Sequence, residues 1–443
     1  MTPRVKIEFV RHSIAHERGF GKGKREKIGS TSLIFPENTL IFLSGCITIY
    51  TCYAKCRIYL RGIGATPVGT VPERMKIMAQ KFRKIGVLTS GGDAPGMNAA
   101  VRAVTREALA KGVEVVGIYG GYRGMIHDEM IPLTSQAVSN KIQLGGTFLY
   151  SDRCLEFKEE AGMQKAIATL KKHEIDGVIA IGGDGTFRGA TDLSARGIPT
   201  IGIPGTIDND ITASDNTIGF DTAMQTVIEN VDRLRDTCES HARCNVVEVM
   251  GRGAGDITLN TAIASGAVDA VIPECPFDED ACIEKIIRLR RAGKRSFLII
   301  VSEAFPEMGE HLKKRIDSTT KELAEKEGND RLWVETKFCR MAHIVRGGSP
   351  TLGDRLLASK MGVFAVGELL AGKSDLVVVE QKGEIVSVNI AYSQVLDRLY
   401  KGTLKEGMLE KFSAEQIAEM EKFIAEKKET FRKTYAMFET ISG

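Results

Sequence analysis

Paired cysteines are missing from this sequence. Its nine cysteines are spread singly along 443 residues, with no CxxC pair and no cluster of cysteine and histidine at the spacing of metal ligands. A structural zinc site is therefore not expected. Unpaired cysteines are typical of a reducing compartment, where they act as small apolar residues, and we place the protein in the cytoplasm.

A long apolar segment is also missing. The longest run, TLIFLSGCITIYTCY at residues 39–53, has fifteen residues and includes Ser, Gly and Thr. A membrane helix needs about 20 apolar residues, so we expect no membrane insertion.

A large excess of one charge is missing as well, because the formal net charge is +3. Neither a nucleic acid nor a membrane surface is an expected partner.

The first eighty residues differ from the rest. Residues 1–81 carry 14 Lys and Arg against 5 Asp and Glu, which leaves a net −6 for residues 82–443. They also show no sustained hydrophobic periodicity. We interpret residues 1–81 as an N-terminal extension that is either disordered or not normally translated, because MAQKFRKIGVLTSGG from Met78 has the form of a protein start.

From Lys84 onward, short apolar runs alternate with amphipathic stretches. The runs are KIGVL, VEVVGIY, IDGVIAI, IPTIGI, NVVEVM, SFLIIV, MAHIV and DLVVVE. Among the amphipathic stretches, we expect a long helix from Thr222 to His241. Near-continuous Val, Ile and Leu indicate strands covered on both faces, so the pattern predicts an α/β fold with parallel sheets. Gly, Asp, Arg and Glu gather in the turns after these strands, where open α/β sheets bind ligands.

Two glycine-rich turns are candidates for phosphate binding. In TSGGDAPGMN (residues 89–98), Gly91 and Gly92 would let backbone N–H groups approach phosphate oxygens at the start of a helix. In GGDGT (residues 182–186), glycines flank Asp184, whose carboxylate suits Mg²⁺. Each has a structural alternative, since two glycines can simply form a tight turn with positive φ. A string like GGDGT also occurs in NAD kinases and diacylglycerol kinases.

The stretch PGTIDND (residues 204–210) places two carboxylates two residues apart after an apolar run. Such acids repel each other unless a cation or a proton-bearing ligand lies between them. Asp208 could accept the proton of an attacking hydroxyl, and Asp210 could orient it or help position a metal. The Thr206 hydroxyl could hydrogen-bond the transferred phosphoryl group. Alone, the stretch also fits a turn with solvated acids.

Arginines follow two further runs. VVEVMGRGAGD places Met250 and Arg252 after a strand, and RGGSP places Arg346 at a strand end with His343 three residues upstream. The guanidinium fork binds the oxygens of a sugar phosphate bidentately. Taken singly, these arginines and Arg243 also fit surface ion pairs, and His343 also fits a structural histidine.

Together these strings resemble the phosphofructokinase family, in particular its bacterial ATP-dependent members. The resemblance runs from about residue 84 to about residue 397 and rests on GVLTSGGDAPGMNAAVR, GGTFL, IGGDGT, PGTIDND, TIGFDTA, DRLRDT, VVEVMGR, RGGSP and DRLLASKMG. It implies two Rossmann-like parallel-sheet domains with the active site in the cleft between them. The larger, ATP-binding domain would comprise residues 82–220 plus 345–395. The smaller, sugar-phosphate-binding domain would comprise 221–344 plus 396–443.

The resemblance also implies the reaction and the roles of residues. Mg-ATP would phosphorylate the 1-hydroxyl of fructose 6-phosphate, with Asp208 as the base, Arg252 on the transferred phosphoryl group and Asp184 serving Mg²⁺. The nucleotide site would comprise Gly91, Gly92, Tyr122, Arg153, Cys154, Gly183, Asp184, Gly185 and Thr186. The sugar site would comprise Thr206, Ile207, Asp208, Met250, Gly251, Arg252, Glu303, His343 and Arg346, with Arg243 and Lys337 supplied by a neighbouring subunit. Such a shared site implies an obligate oligomer, in this family usually a homotetramer.

Two glycines bear on the phosphoryl donor. Pyrophosphate-using relatives carry Asp at the position of Gly185 and Lys at that of Gly205, whereas this chain has glycine at both. The resemblance therefore implies ATP. A pyrophosphate-dependent enzyme, or one that also accepts sedoheptulose 7-phosphate, is the alternative with the same fold. A non-enzymatic sensor is a further alternative, but it would be expected to have lost Asp208, Asp184 or Arg252.

Several positions depart from the family's pattern. Lys337 stands where Arg is usual, which replaces a fork with a point charge. The effector site is half present: Arg102, Arg106, Arg235, Lys294 and Arg295 match it, whereas Ser135, Asn140, Val268 and Ala292 do not. We therefore expect reduced or altered allosteric control. The C-terminal stretch FSAEQIAEMEKFIAEKKETFRKTYAMF predicts an amphipathic helix for core packing or oligomer contact, to which we assign no chemistry.

Overall fold

The computed structural model of the chain describes residues 82–443. The apolar run at 39–53 and the interpretation of residues 1–81 lie outside the described residues. Gln80–Gly443 forms one compact unit. Within the described part of the chain, no helix is long and apolar enough to cross a membrane.

The described residues alternate strands and helices. The strands are β1 (Lys84–Thr89), β2 (Glu114–Ile118), β3 (Met130–Leu133), β4 (Gly177–Gly182), β5 (Thr200–Pro204), β6 (Cys244–Val249), β7 (Asp269–Val271), β8 (Phe297–Ser302), β9 (Thr336–Arg340), β10 (Leu376–Gln381) and β11 (Glu384–Asn389). The helices are α1 (Met97–Ala110), α2 (Tyr122–His127), α3 (Glu160–Lys172), α4 (Asp184–Ala195), α5 (Phe220–His241), α6 (Asp256–Ser265), α7 (Glu279–Arg291), α8 (Met308–Glu327), α9 (Leu352–Leu370), α10 (Ile390–Tyr400) and α11 (Ala414–Ile441). Short 3₁₀ helices lie at Glu156–Lys158, Asp330–Leu332 and Ala342–Arg346.

The strands form two sheets, as the α/β pattern predicts. The larger has the order β11-β10-β5-β4-β1-β2-β3, and the smaller has the order β7-β8-β6-β9. The smaller sheet is entirely parallel, and the larger is parallel from β10 to β2 with antiparallel edge strands β3 and β11. The fold class predicted from sequence is therefore confirmed.

Strand burial explains the sequence pattern. Every residue of β4, β5, β6 and β8 is buried, because helices cover both faces of a parallel sheet. Helix α1 packs along α9 on one face of the larger sheet, and Gly362 allows this contact since a Cβ there would lie 2.7 Å from the Ala103 Cβ. This packing of helices on the sheet holds the carboxyl ends of the strands side by side. The polar turns that follow these strands therefore lie next to one another.

One run predicted as a strand is not a strand. MAHIV forms the 3₁₀ helix Ala342–Arg346, and the strand lies immediately before it, as β9. The Met341 N–H still donates to the Glu248 carbonyl at 3.0 Å, and Ala342 then takes a left-handed φ of 43° that ends the extended path. Arg346 is therefore the last residue of a helical turn and does not lie at a strand end.

The predicted C-terminal helix is present as α11. It begins with a capping box between Ser413 and Gln416. Met420 and Ile424 are buried in the apolar cluster shared with α10 and α4, and Phe438 is buried in the cluster that includes α6. Core packing is thus one role of this helix.

Candidate functional site

Three turns meet at the carboxyl edge of the larger sheet. Ser90, after β1, donates its N–H to Ile181 of β4 at 3.0 Å, and its carbonyl accepts the Thr186 hydroxyl at 3.2 Å. Gly205, after β5, donates its N–H to the Gly182 carbonyl at 3.0 Å. A Cβ on Gly182 would lie 2.4 Å from the Ser90 carbonyl oxygen, so glycine is required for this approach. The two glycine-rich turns and PGTIDND therefore form one continuous surface.

The turn from β4 to α4 presents Asp184 at the first position of its helix. Gly183 has extended backbone, and Asp184 pairs with Arg188 one helical turn later. A Cβ on Gly185 would meet no atom within 4 Å, so this residue faces open space. The helix N-terminus, with its free N–H groups, suits a phosphate in that space.

Of the other residues predicted for the nucleotide site, Tyr122 supports this turn, and Arg153 and Cys154 lie on a neighbouring segment. Tyr122 is buried and donates its hydroxyl to the Thr186 carbonyl at 2.6 Å, so it supports the turn from below. Arg153 and Cys154 follow Ser151, whose hydroxyl donates to the Gly91 carbonyl at 2.8 Å. This bond holds their segment beside the first glycine-rich turn, where Arg153 is exposed.

Asp208 is the most unusual group of the site. It is 1% exposed, and both carboxylate oxygens are among the buried side-chain atoms of residues 82–443 that have no hydrogen-bond partner. Arg252 Nε lies 3.0 Å from its Oδ2, and Arg346 Nη2 lies 3.5 Å from its Oδ1. Buried carboxylates normally accept several hydrogen bonds. This one is positioned by charge while its lone pairs remain available.

The surroundings alter the acidity of Asp208. Burial raises the pKa of its carboxyl above the ordinary value, and the charge of Asp210 adds to this effect. Arg346 and Arg252 oppose the rise, and Glu303 adds to it weakly. A raised pKa makes the carboxylate a stronger base while it is ionised.

Arg252 reaches Asp208 from the smaller sheet. It follows β6 with a left-handed φ of 52°, and its Nη1 also lies 4.0 Å from Asp210 Oδ2. Glu303, after β8, accepts the backbone N–H groups of Gly251 and Arg252 at 3.1 and 2.9 Å. Glu303 therefore holds the uncommon backbone that aims Arg252. The predicted residue Met250 is buried directly before this turn.

Arg346 joins the first glycine-rich turn to Asp208. Its Nη1 donates to the Asp93 carbonyl at 3.3 Å and would lie 3.0 Å from a Cβ on Gly92. His343 is exposed on the same helical turn as Arg346. The structure thus brings Arg252, from the smaller sheet, and Arg346 to Asp208 of the larger sheet.

Two predicted sugar-phosphate residues lie elsewhere. Arg243 precedes β6, and Lys337 is paired in register with Asn245 near the amino end of the smaller sheet. Both contact Glu335, with Arg243 Nε at 2.5 Å and Lys337 Nζ at 2.7 Å. Arg252 follows the opposite end of β6, about 20 Å away for six residues of strand, so the two cations do not reach Asp208 of their own chain.

The predicted effector residues form two groups. Arg102 and Arg106 lie one turn apart on α1, where burial and then the charge of Arg106 lower the pKa of Arg102. Arg235 lies on α5 and donates to the Ser265 carbonyl, and Lys294 and Arg295 follow α7. No hydrogen bond or ion pair among residues 82–443 joins the two groups.

Three residues of the site were not anticipated. Lys401, after α10, lies 3.5 Å from Asp210 Oδ2. Asn209 has a left-handed φ of 50° and donates its side-chain amide to the Asp215 carbonyl at 3.2 Å and to Asp256 Oδ1 at 3.4 Å. Asp256 and Lys401 lie far from the acids in sequence, so only the tertiary structure reveals that they are neighbours of this loop. Asn209 lies between the two acids, but its contacts follow from the tertiary structure as well.

The donor set also bears on Mg²⁺. Residues 82–443 contain no group of three or more His, Cys, Asp or Glu that could hold a metal ion alone. Mg²⁺ is usually held by one or two carboxylates together with substrate phosphates. Asp184, at the first position of helix α4, is the carboxylate that fits such a role beside a phosphate.

Comparison with known proteins gives consistent results. A family model described as phosphofructokinase matches residues 84–369. The chain is 48% identical over 308 residues to an ATP-dependent 6-phosphofructokinase of Brevibacillus brevis, covering 70% of this chain and 92% of the relative. It is 46% identical over 325 residues to ATP-dependent 6-phosphofructokinase 1 of Clostridium perfringens, covering 73% and 98%.

Solved structures are similar as well. Phosphofructokinase from Saccharomyces cerevisiae superposes with a TM-score of 0.69 at 29% identity, covering 80% of this chain. The match covers 50% of the yeast chain, so this chain spans about half of that length.

Proposed function

Because the chain belongs to the phosphofructokinase family, we propose that it transfers the terminal phosphoryl group of ATP to the 1-hydroxyl of fructose 6-phosphate. The products are fructose 1,6-bisphosphate and ADP. The observation that carries this proposal is Asp208, a buried carboxylate with two unbonded oxygens that faces Arg252 and Arg346. A base beside two cations is what transfer of an anionic group to a hydroxyl requires.

In the proposed reaction, Asp208 accepts the proton of the attacking 1-hydroxyl. Arg252 lies over both acids and is 58% exposed along its side chain, so it can turn toward the transferred phosphoryl group. Thr206, whose hydroxyl lies 3.3 Å from the Asp208 N–H, flanks the path of transfer. In this arrangement, catalysis comes mainly from the positioning of the reacting groups and from charged side chains that are in place before the reaction begins.

Mg²⁺ would enter with the nucleotide and would be held by Asp184 and the ATP phosphates, where it would neutralise phosphate charge. Asp210 would help to orient that complex. The space in front of Gly185 and the N-terminus of α4 would receive the phosphates.

The two glycines support ATP as the donor. A side chain at Gly185 would project into the open space that the nucleotide needs. A Cβ at Gly205 would lie 3.0 Å from the Met97 Cε and 3.1 Å from the Ile181 Cγ2, so a lysine there would require repacking. The open space at Gly185 therefore suits the larger donor, and the packing at Gly205 disfavours the lysine that pyrophosphate-using relatives carry there.

The enzyme is proposed to work as a homotetramer in the cytoplasm, where its substrates occur. The two sheets would belong to a larger domain (82–220 plus 345–395) and a smaller one (221–344 plus 396–443). Arg243 and Lys337, which lie beyond reach of their own Asp208, would bind the 6-phosphate in a neighbouring subunit's site with His343 and Arg346. Arg102, Arg106, Arg235, Lys294 and Arg295 would form a weakened effector site.

A donor comparison tests the proposal. Purified chain is supplied with fructose 6-phosphate and either Mg-ATP or Mg-pyrophosphate, and fructose 1,6-bisphosphate is measured through aldolase. Turnover with ATP and none with pyrophosphate is expected. Preference for pyrophosphate would contradict the role given to Gly185 and Gly205, and lack of turnover with both donors would contradict the proposed function.

A further inference from the structure

A half-buried lysine from the C-terminal helix contacts the chain that follows the catalytic acids. Lys427, on α11, directs its Nζ to the carbonyl oxygens of Thr212 and Ser214, each at 2.9 Å. The contact joins residues 215 positions apart. α11 lies beyond residue 369, where the match to the family model ends.

The segment held by Lys427 is a continuation of the catalytic loop. Thr212 is bound on both sides by the C-terminal region, because its N–H donates to Asp397 Oδ1 at 2.5 Å while its carbonyl accepts from Lys427. Thr217 closes the loop by donating its hydroxyl to the Thr206 carbonyl at 2.7 Å. Residues 206–217 are thus a closed loop whose far side is anchored to α10 and α11.

Lys427 also influences the catalytic acids indirectly, through its electrostatic interaction with neighbouring carboxylates. Desolvation lowers the pKa of Lys427, while Asp256, Asp215 and Asp397 raise it. Burial raises the pKa of Asp256, and Lys427 opposes that rise more than any other charge. Asp256 accepts from Asn209, the residue between Asp208 and Asp210, whose left-handed backbone sets the direction of both neighbours.

From these contacts we propose that Lys427 is a positioning residue for the catalytic loop, which makes the C-terminal helix part of the active-site support. The inference rests on the proposed function for its kinetic consequence. Lys427 contacts neither Asp208 nor the predicted phosphate-binding residues, so it acts through Thr212, Ser214 and the Asp256–Asn209 pair. Loss of its charge would leave two carbonyls without their donor and three nearby carboxylates without a shared cation.

The expected kinetic effect is selective. The 6-phosphate of the sugar is proposed to be bound by Arg346 and His343, and the hydrogen bonds of Lys427 go to Thr212 and Ser214, not to these two residues. Alignment of the base with the hydroxyl depends on the loop, and small misplacement of reacting groups strongly reduces rate. Lys427→Met should therefore lower kcat about tenfold and leave the KM values for both substrates within about twofold.

The experiment compares Lys427→Met with Lys427→Arg and with Lys422→Met, which removes an exposed lysine of the same helix. Each purified variant is assayed for kcat and KM with fructose 6-phosphate and Mg-ATP, and amide hydrogen exchange of residues 206–217 is measured in parallel. Lys427→Met should lose rate and exchange faster in this loop. Lys427→Arg should recover part of both, and Lys422→Met should match the unmodified chain.

Unchanged kcat in folded Lys427→Met, with only a lower Tm, would overturn the proposal. If Lys427→Met does not fold, the test is made with Lys427→Arg. A reduced kcat at unchanged KM in that variant supports the positioning role of Lys427, and an unchanged kcat overturns the proposal. If the unmodified chain lacks activity, the proposed function fails separately, and exchange in the loop still tests whether Lys427 holds it.

Discussion

At the scale of single residues, Asp208 combines burial with incomplete bonding. Its environment disfavours the charged form that the reaction needs, since burial and Asp210 raise its pKa and the two arginines only partly compensate. An acid whose pKa is higher in the folded state contributes stability at low pH that is lost as pH rises through the folded pKa. The charge on Asp208 therefore costs stability at neutral pH.

Asp208→Asn should raise the Tm at pH 7.5, because it removes the disfavoured charge without changing the size of the side chain. The gain should shrink as the pH is lowered toward the raised pKa of Asp208, because Asp208 itself then becomes protonated. Thermal unfolding at pH 7.5 and at lower pH measures this, with Asp232→Asn, an exposed acid on α5, as the control. A lower Tm for Asp208→Asn at pH 7.5 would show that its charge is stabilised overall.

Gly185 offers a second test at this scale. Gly185→Asp would place a carboxylate in the open space next to the start of α4, so the KM for ATP should rise about tenfold, the effect of ~1.4 kcal/mol of repulsion. Gly185→Asn has the same size without the charge and should bind ATP better than the Asp variant. Equal KM values for the Asp and Asn variants would rule out charge repulsion as the cause.

At the scale of elements, the C-terminal helix shows how far the sequence could be interpreted. Its amphipathic pattern predicted a helix for core packing or oligomer contact, and the helix and its core packing are present in α11. The contacts of Lys427 with Thr212 and Ser214 could not be predicted, because they depend on where the helix lies and not on its own pattern. The same reason explains the error at MAHIV, an apolar run whose backbone turns at Ala342 instead of extending.

Two methionines on α11 separate core packing from oligomer contact. Met420 is fully buried and Met437 is 48% exposed. Met420→Ala should destabilise the chain by about 2–5 kcal/mol, through lost burial and a cavity. Met437→Ala should change stability by less than about 0.5 kcal/mol.

Urea or thermal unfolding of both variants, with gel filtration, provides the measurement. Equal loss in the two variants, or dissociation caused by Met437→Ala, would show that the exposed face of α11 lies in a subunit contact.

At the scale of the whole molecule, the sequence strings predicted the two sheets and their polar edges. The fold class and the family are confirmed, whereas the shared site remains a prediction. Short motifs in one sequence identify the turns that follow strands well. The reason is that phosphate binding by such a turn requires glycines and carboxylates at particular positions. They do not reveal which cations of the smaller sheet reach which acid of the larger sheet, as the separate locations of Arg252 and Arg243 illustrate.

The shared site predicts complementation between inactive variants. Asp208→Asn lacks the base, and Arg243→Ala lacks a cation for the neighbouring site. In mixed oligomers some sites would combine an intact Asp208 with an intact Arg243. Co-expressed chains should therefore exceed the sum of the separate activities at limiting fructose 6-phosphate. Activity equal to that sum would indicate that each chain builds its own complete site.

The most direct test of the central claim is kcat for the unmodified chain and for Asp208→Asn, measured together with fructose 6-phosphate and Mg-ATP. If Asp208 is the base, the unmodified chain turns over and the Asn variant loses about 10²–10⁴-fold in kcat, with the KM for fructose 6-phosphate little changed. An Asn variant as fast as the unmodified chain would show that Asp208 is not the base.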